Sequence, residues 1–506
     1  VADARPTRGN REYEVKLSAW PGFLLPDLEG LDEGLICEPL EPRELDAVYY
    51  DTPDLRLARW GVTMRYRSGD GASWTVKLPE GEDGPALVRR EMTFPGPAGA
   101  PPTAACDLLR AYVRSARLAP VAHLRTRRRG FALRDEEGRR LAEVVDDEVT
   151  VLEGRRLAAR FREVEVEVDG RAPDRLLGEI LARLRDAGAG EPDPTPKVFR
   201  ALGARASAPP ELVAPDVDDD ASARDVIRAA LARSVTRLLV HDAGVRLGDD
   251  PEDVHQARVG TRRLRSDLRT FRPLLVEEWS EALRDELSWL ASLLGGVRDA
   301  DVLTDRLRGR AAELPEVDAA GFAPALRRLA EERESARARL LDGIVTARYV
   351  ALLDDLVAAA AAPLLRPGAT KPALDVLPAL AARPWRALRK AVKVLPAEPS
   401  DEELHGVRIK AKRARYAVEA VAPVAGKDAR RLAEAIAGVQ DVLGDHHDAV
   451  VAEAWLRQAV AGADALQALA LGELVGAERA AAARDRERFR RAWKKANRKK
   501  LRAWLA

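Results

Sequence analysis

Arg11-Glu12-Tyr13-Glu14-Val15-Lys16-Leu17 is the stretch from which the fold of the first half follows. Side chains on a strand alternate between faces, so Glu12, Glu14 and Lys16 share one face while Tyr13, Val15 and Leu17 share the other. The alternation returns in Thr63, Arg65 and Arg67, in Ser73, Thr75 and Lys77, and in Arg89 and Glu91. It returns again in Arg125, Arg127 and Arg129, in Glu143 and Asp147, and in Glu163, Glu165 and Glu167. The opposite rows hold Val62, Met64, Trp74, Val76, Leu78, Val144, Val164 and Val166. A half-buried sheet ordinarily turns its polar row to water. Acids and bases clustered on this many strands predict instead a closed or nearly closed sheet with a charged lumen. Such a lumen suits a polyanion together with divalent cations.

Candidate strands run over about 11–18, 43–51, 61–68, 72–79, 86–94, 121–134, 139–149 and 161–169. Ser68-Gly69-Asp70-Gly71 and Asp135-Glu136-Glu137-Gly138 supply hairpin turns between them. Eight strands are enough for a small barrel. Helices over about 103–117 and 173–187 are expected on its outside. The proline-rich, acidic stretch from Gly203 to Ala221 reads as a linker.

Bulk composition only excludes. Charged residues make up 33% of the 506, yet the formal net charge is +1, so any binding signal lies in local arrangement. Cys37 and Cys106 are the only cysteines, which rules out a disulfide framework and a cysteine-based metal site. Val1 to Arg11 is polar and has no signal-peptide core, and no apolar run is long enough for a membrane span. A soluble, cytoplasmic protein with no membrane partner is expected.

From Ser222 onward leucine and alanine recur at helix spacing, with breaks near 248–251, 313–324, 366–372 and 396–400. This half repeats itself. Val254-His255-Gln256-Ala257-Arg258-Val259-Gly260-Thr261-Arg262-Arg263-Leu264-Arg265 resembles Leu404-His405-Gly406-Val407-Arg408-Ile409-Lys410-Ala411-Lys412-Arg413-Ala414-Arg415. Downstream, Leu294-Gly295-Gly296-Val297-Arg298-Asp299-Ala300 mirrors Leu443-Gly444-Asp445-His446-His447-Asp448-Ala449. A duplicated helical module with approximate two-fold symmetry follows. His255, Arg258, Arg262, Arg265 and Arg269 form one stripe along a helix; His405, Arg408, Lys412 and Arg415 repeat it, with Glu419 in the fifth place. Like charges at this spacing cost roughly 0.2–0.5 kcal/mol per pair. Few acids lie at salt-bridge spacing along these helices, so the missing counter-charge is expected from a ligand with phosphate oxygens. Aromatic residues for base stacking are scarce near the stripes, which disfavours nucleic acid. His446 and His447, being adjacent on a helix, cannot face one site and read as structural.

Two resemblances rest on these residues. The V-H-x-x-R-V-x-x-x-R-R-L-R run and its degenerate copy resemble the conserved histidine α-helical domain (CHAD), over about 221–503, with repeats at about 221–365 and 371–503. That resemblance implies two pseudo-symmetric helical bundles whose basic faces meet, and binding of long inorganic polyphosphate. The contacts it implies are His255, Arg258, Arg262, Arg263, Arg265, Arg269, His405, Arg408, Lys412, Arg413 and Arg415.

The ordered set Glu12-x-Glu14-x-Lys16, Arg65-x-Arg67, Lys77, Arg125-x-Arg127, Asp147 and Glu163-x-Glu165 resembles the CYTH, or triphosphate tunnel metalloenzyme, superfamily over about 9–203, with 204–220 left as linker. It implies an α+β multidomain chain: an eight-stranded antiparallel tunnel with flanking helices, followed by an all-α domain. It also implies Mg²⁺- or Mn²⁺-dependent cleavage of a phosphoanhydride bond, with inorganic triphosphate the leading substrate. Metal ligands would be Glu12, Glu14, Asp147, Glu163 and Glu165; Lys16, Arg65, Arg67, Lys77, Arg125 and Arg127 would hold phosphate. Arg89, Glu143 and Lys197 are further candidates for substrate contact. Strand parity favours Asp147 over Asp146. Adenylate-cyclase-type chemistry on ATP, and a non-catalytic protein of polyphosphate granules, are the competing expectations.

Overall fold

The computed structural model describes residues 9–505 except Glu33 and Asp219, so the polar opening Val1 to Arg8 lies outside the described residues. The chain divides into two compact units, Val1–Glu211 and Leu212–Ala506.

In the first unit eight antiparallel strands close into a barrel. They are β1 (Asn10–Ser18), β2 (Ile36–Asp51), β3 (Thr63–Ser68), β4 (Ser73–Asp83), β5 (Ala86–Phe94), β6 (Ala119–Arg134), β7 (Arg140–Glu153) and β8 (Arg156–Val168). Around the ring the order is β1-β5-β4-β3-β2-β6-β7-β8, and β8 pairs back onto β1. The barrel is inside-out. Its apolar rows face outward and are covered: Val15, Leu17, Val144, Val164 and Val166 pack against Leu176, Ile180, Leu181 and Leu184 of the helix Asp174–Asp186. Each such side chain contributes about 1.5–3 kcal/mol on burial. The charged rows face inward. A second short helix, Lys197–Leu202, sends Val198 into a cluster with Ala47, Tyr49, Leu124 and Val149. The helix expected at about 103–117 is instead two short pieces, Thr103–Leu108 and Arg110–Val113.

The second unit is helical and internally two-fold. Ser222 caps the helix Ala223–Leu247 through a reciprocal bond with Asp225, and Ser400 caps the helix beginning at Asp401 in the same way with Glu403. The halves clasp where they begin: Ala223 N–H donates to Lys371 O (3.0 Å), and Ala373 N–H donates to Ala221 O (2.9 Å). Ala373 follows Ala223 at the spacing at which His405 follows His255, so this clasp is what a local two-fold axis produces. The basic runs lie on the helix Pro251–Thr270 and on the first half of Asp401–Ala459. That last segment is two helices meeting at Gly426, whose φ of 72° and ψ of −150° break the helix. A residue with Cβ is strained there. No helix among the described residues is long and apolar enough to cross a membrane.

Candidate active site and anion-binding face

The lumen encloses a cavity of about 500 Å³ lined mainly by charged residues, including Glu12, Glu14, Lys16, Arg65, Arg67, Lys77, Arg89, Glu91, Arg128, Glu143, Glu165, Glu167 and Lys197. Register explains the convergence: Glu12 stands opposite Arg89, and Lys77 opposite Glu91. Lys77 Nζ reaches Glu12 (2.6 Å) and Glu91 (2.8 Å), and Arg89 pairs with Glu14. Lys16 bridges Glu14 (3.1 Å) and Glu165 (3.2 Å). Burial works against ionisation of Glu91, but Lys77 and Arg65 outweigh it and hold the carboxyl down to about 2. Burial likewise opposes the charge on Glu165, yet Lys197, Lys16 and Arg128 hold it well below the usual carboxylate range.

Arg65 differs from its neighbours. Its Nη1 donates to the Tyr49 hydroxyl (3.3 Å), its Nε has no acceptor, and no carboxylate lies within ion-pair distance among the described residues. Guanidinium N–H groups left open inside a charged cavity are what an incoming phosphate oxygen needs.

The acids expected to hold metal do not meet at one point. Asp147 and Glu163, both fully buried, converge with Glu165 on Lys197 Nζ at 2.7, 3.1 and 2.5 Å. Glu14 meets Glu165 side chain to side chain and through Lys16, while Glu12 stands apart on Lys77. Among the described residues no group of three such acids or imidazoles stands ready around a cation. Lys197 fills the position where they would. Neither Glu163 oxygen has a hydrogen-bond donor, and burial pushes its carboxyl up from the usual range. A carboxylate trio in which Glu163 still has no donor fits a hard divalent cation, which takes oxygen ligands.

One reading is corrected. Arg125 and Arg127, expected in the lumen, are exposed on the outer face, where Arg125 pairs with Asp46 (3.6 Å). The inward basic residue of β6 is Arg128, bonded to Asp147 (2.9 and 2.7 Å) and Glu165 (2.8 Å). The sequence reading also passed over Tyr49 and Arg200, whose guanidinium lies 3.6 Å from Glu163 and 2.8 Å from Asp193. Glu91 shares its row with Arg89 and could have been chosen on that ground alone.

In the helical unit the two basic runs face each other. Arg263 reaches across the repeat to Glu419 (2.7 Å), which Arg415 also holds (2.6 Å). Arg262 and Arg263 both lie over the Tyr416 ring at 5.5 Å. Arg258 finds Asp299 (2.9 Å). The expectation that counter-charge is missing therefore fails for Arg258 and Arg263, whose acids come from distant sequence and from the repeat partner, and for Arg415, whose acid Glu419 lies one turn on along its own helix. It holds for Arg262, Arg408 and Lys412, which have no acid within 4 Å among the described residues. Burial and the neighbouring Arg408, Arg262 and Arg258 push Lys412 down to about 8. Further along, Arg265 donates to Ser288 (3.2 Å), and Arg269 is set among Arg413, Arg284 and Arg265. His405 and His447 meet with their Nδ1 atoms 3.2 Å apart, whereas buried His446 turns to Asp401 (3.2 Å). The adjacent histidines thus face different ways as expected, but His447 joins the basic face. Arg298, beside His255, holds the same place in the first repeat. The duplicated downstream motif was the signal for both.

Comparison with known proteins agrees with both halves. The CYTH domain matches residues 10–199 and the CHAD domain matches residues 229–457. Uncharacterized proteins from two strains of Mycobacterium tuberculosis are 33% identical over 499 residues, covering 91% of this chain and 91% of theirs. Among solved structures, PptA from Streptomyces chartreusis is 26% identical and covers 54% of this chain and 100% of its own, with a TM-score of 0.46. The CHAD domain from the plant Ricinus communis is 28% identical over 58% of this chain and 95% of its own, with a TM-score of 0.44. With a charged tunnel, a two-fold helical unit and full-length relatives of the same span, this chain belongs to the family that joins a CYTH domain to a CHAD domain.

Proposed function

We propose that the tunnel hydrolyses a phosphoanhydride bond of inorganic triphosphate with Mg²⁺ or Mn²⁺, and that the helical unit binds inorganic polyphosphate. The observation that carries the first part is Arg65, half-buried in the lumen with its Nε left without an acceptor and no carboxylate within 4 Å among the described residues. CYTH domains are typically tunnel enzymes acting on triphosphates and generally use divalent metal ions. Asp147, Glu163 and Glu165 would hold such an ion here, with Glu14 next to Glu165 and Glu12 next to Lys77 as further acids of the lumen. The ion would supply charge neutralisation at the phosphate chain.

The chain's own residues account for the rest. Arg65, Arg67 and Arg128 line the cavity and would orient the phosphate oxygens, stabilising charge as the bond breaks. Burial, with Glu12 beside it, pushes the lining carboxyl of Glu167 up to about 7. A base of that strength suits removal of a proton from an attacking water near neutral pH. In the helical unit, Arg262, Arg408 and Lys412, with no acid within 4 Å among the described residues, would take polyphosphate oxygens, with Arg258, His255 and His405 alongside. Recruitment to cytoplasmic polyphosphate granules would follow from that binding.

The test is phosphate release from triphosphate with Mg²⁺ or Mn²⁺ by the full chain and by Glu163→Gln. Loss of turnover in the variant is expected; equal rates in both would remove the carboxylate cluster from the mechanism.

A further inference from the structure

Lys197 is the first residue of the short helix Lys197–Leu202, directly after Pro196. Its ammonium lies 2.7 Å from Asp147, 3.1 Å from Glu163 and 2.5 Å from Glu165. Lys197 itself lines the cavity, whereas Asp147 and Glu163 do not and are fully buried behind lining residues that include Lys197 and Arg128. One ammonium does not balance three carboxylates, and the remaining charge is met by Arg128, by Lys16 on Glu165 and, at longer range, by Arg200. Even so, Glu163 keeps both oxygens without a hydrogen-bond donor. The ammonium therefore offsets part of the charge without satisfying the geometry of the acids around it.

We propose that Lys197 is a tethered stand-in for the divalent cation: it keeps the acid cluster intact while no metal is present, and metal must displace it to bind. This rests on the reading of the lumen as a metal-dependent site. A divalent cation held by Asp147, Glu163 and Glu165 would sit where their oxygens converge, which is the point Lys197 Nζ now occupies, and two cations that close repel strongly in a poorly solvated interior. Entry of metal thus forces the lysine side chain out of the cluster into the lumen. Metal affinity is then set by a competition inside the chain itself, not by the acids alone.

The experiment uses Mn²⁺ alone, followed by electron paramagnetic resonance of the free ion, on the full chain and on Lys197→Met and Lys197→Arg. Lys197→Met is expected to bind Mn²⁺ at least roughly tenfold more tightly than the parent, since no buried pair must be broken. Lys197→Arg, which keeps a tethered cation, is expected to bind as weakly as the parent. A Lys197→Met affinity equal to or below the parent's would overturn the inference and leave the hydrolysis reading standing. Absence of Mn²⁺ binding by every variant would overturn both. A second measurement needs no variant: amine acylation at Lys197, read by mass spectrometry on the parent chain, should rise several-fold when Mn²⁺ is added. Unchanged or slower acylation counts against displacement.

Discussion

Arg128 and Asp147 are register partners on β6 and β7, joined by two parallel hydrogen bonds of 2.9 and 2.7 Å. A planar fork of donors meeting both oxygens of a fully buried carboxylate is the strong form of this interaction. Arg128 also reaches Glu165, so it ties two acids of the cluster to the phosphate-facing wall. Replacing it should therefore matter twice. Arg128→Ala is expected to lower kcat/KM for triphosphate by about 10²-fold or more, through lost charge stabilisation. It should also cost about 2–3 kcal/mol of stability, as a buried pair loses one partner. Arg127→Ala, on the outer face, should change turnover by less than about twofold. Steady-state phosphate release from the two variants, with urea unfolding of each, checks both statements.

That arginine also marks where sequence reasoning stopped. Counting back from the hairpin at Asp135 to Gly138, the ladder begins with Arg134 against Arg140. Continued without interruption it would set Arg127 against Asp147. An irregularity between Leu133 and Arg134 shifts the register by one residue, and Arg128 turns inward instead. A one-residue slip exchanges the faces of a whole strand, so the dense outward row of Arg125, Arg127 and Arg129 passed for the lumen row. On β1, β3 and β8 no such shift lies near the site, and on β5 the shift beside Arg89 inserts its extra residue into β4, so parity alone placed Glu12, Arg65, Arg89 and Glu163 in the interior. Bulges are set by local backbone energetics that alternation does not record. Partners such as Asp299 for Arg258 are likewise tertiary facts, invisible to spacing along one helix.

Glu167 gives the tunnel a pH signature. Its folded carboxyl sits at about 7 against an ordinary 4.5, because burial and nearby Glu12 favour the neutral form. The contribution of the protonated side chain to stability is thus complete below about pH 4.5 and is lost as pH rises through 7. Glu167→Gln should match the parent near pH 4 and exceed it by up to about 3 kcal/mol above pH 8. If Glu167 also takes the proton from water, the parent's kcat/KM rises with pH through about 7 and the variant loses that limb. Thermal melts and rate profiles from pH 4 to 9 report the two effects separately.

Lys412 should show stability and binding moving in opposite directions. Its ammonium is pushed from 10.5 down to about 8 by burial and by Arg408, Arg262 and Arg258. A depressed lysine costs the folded unit its full penalty below pH 8 and progressively less between 8 and 10.5. Lys412→Met should therefore raise stability at pH 7 by about 2–3 kcal/mol, with the gap closing toward pH 10.5. The same substitution should weaken polyphosphate binding, since it removes a cation that has no acid of its own. A variant that loses stability and keeps its affinity would make Lys412 a packing residue.

His405 and His447 carry the last prediction. Their rings are 4.5 Å apart between centroids, and burial with Arg408 and His405 pushes His447 down to about 4. His405 is lowered as well, by burial, Arg408 and Lys412. Both are therefore neutral near pH 7 while no polyanion is present, because protonation would add charge to a face that already repels itself. Phosphate oxygens reverse that balance by giving each imidazolium an anionic partner. Binding should then take up protons, and affinity should rise as pH falls from about 7 toward 5. Isothermal titration of polyphosphate in two buffers of different ionisation enthalpy measures the uptake directly. The double variant His405→Asn/His447→Asn should bind without it and with a flatter pH dependence. Heats that do not depend on the buffer in the parent protein would mean that the ligand never senses this pair of rings, and would move the binding face away from them toward Arg265, Arg269 and Arg413.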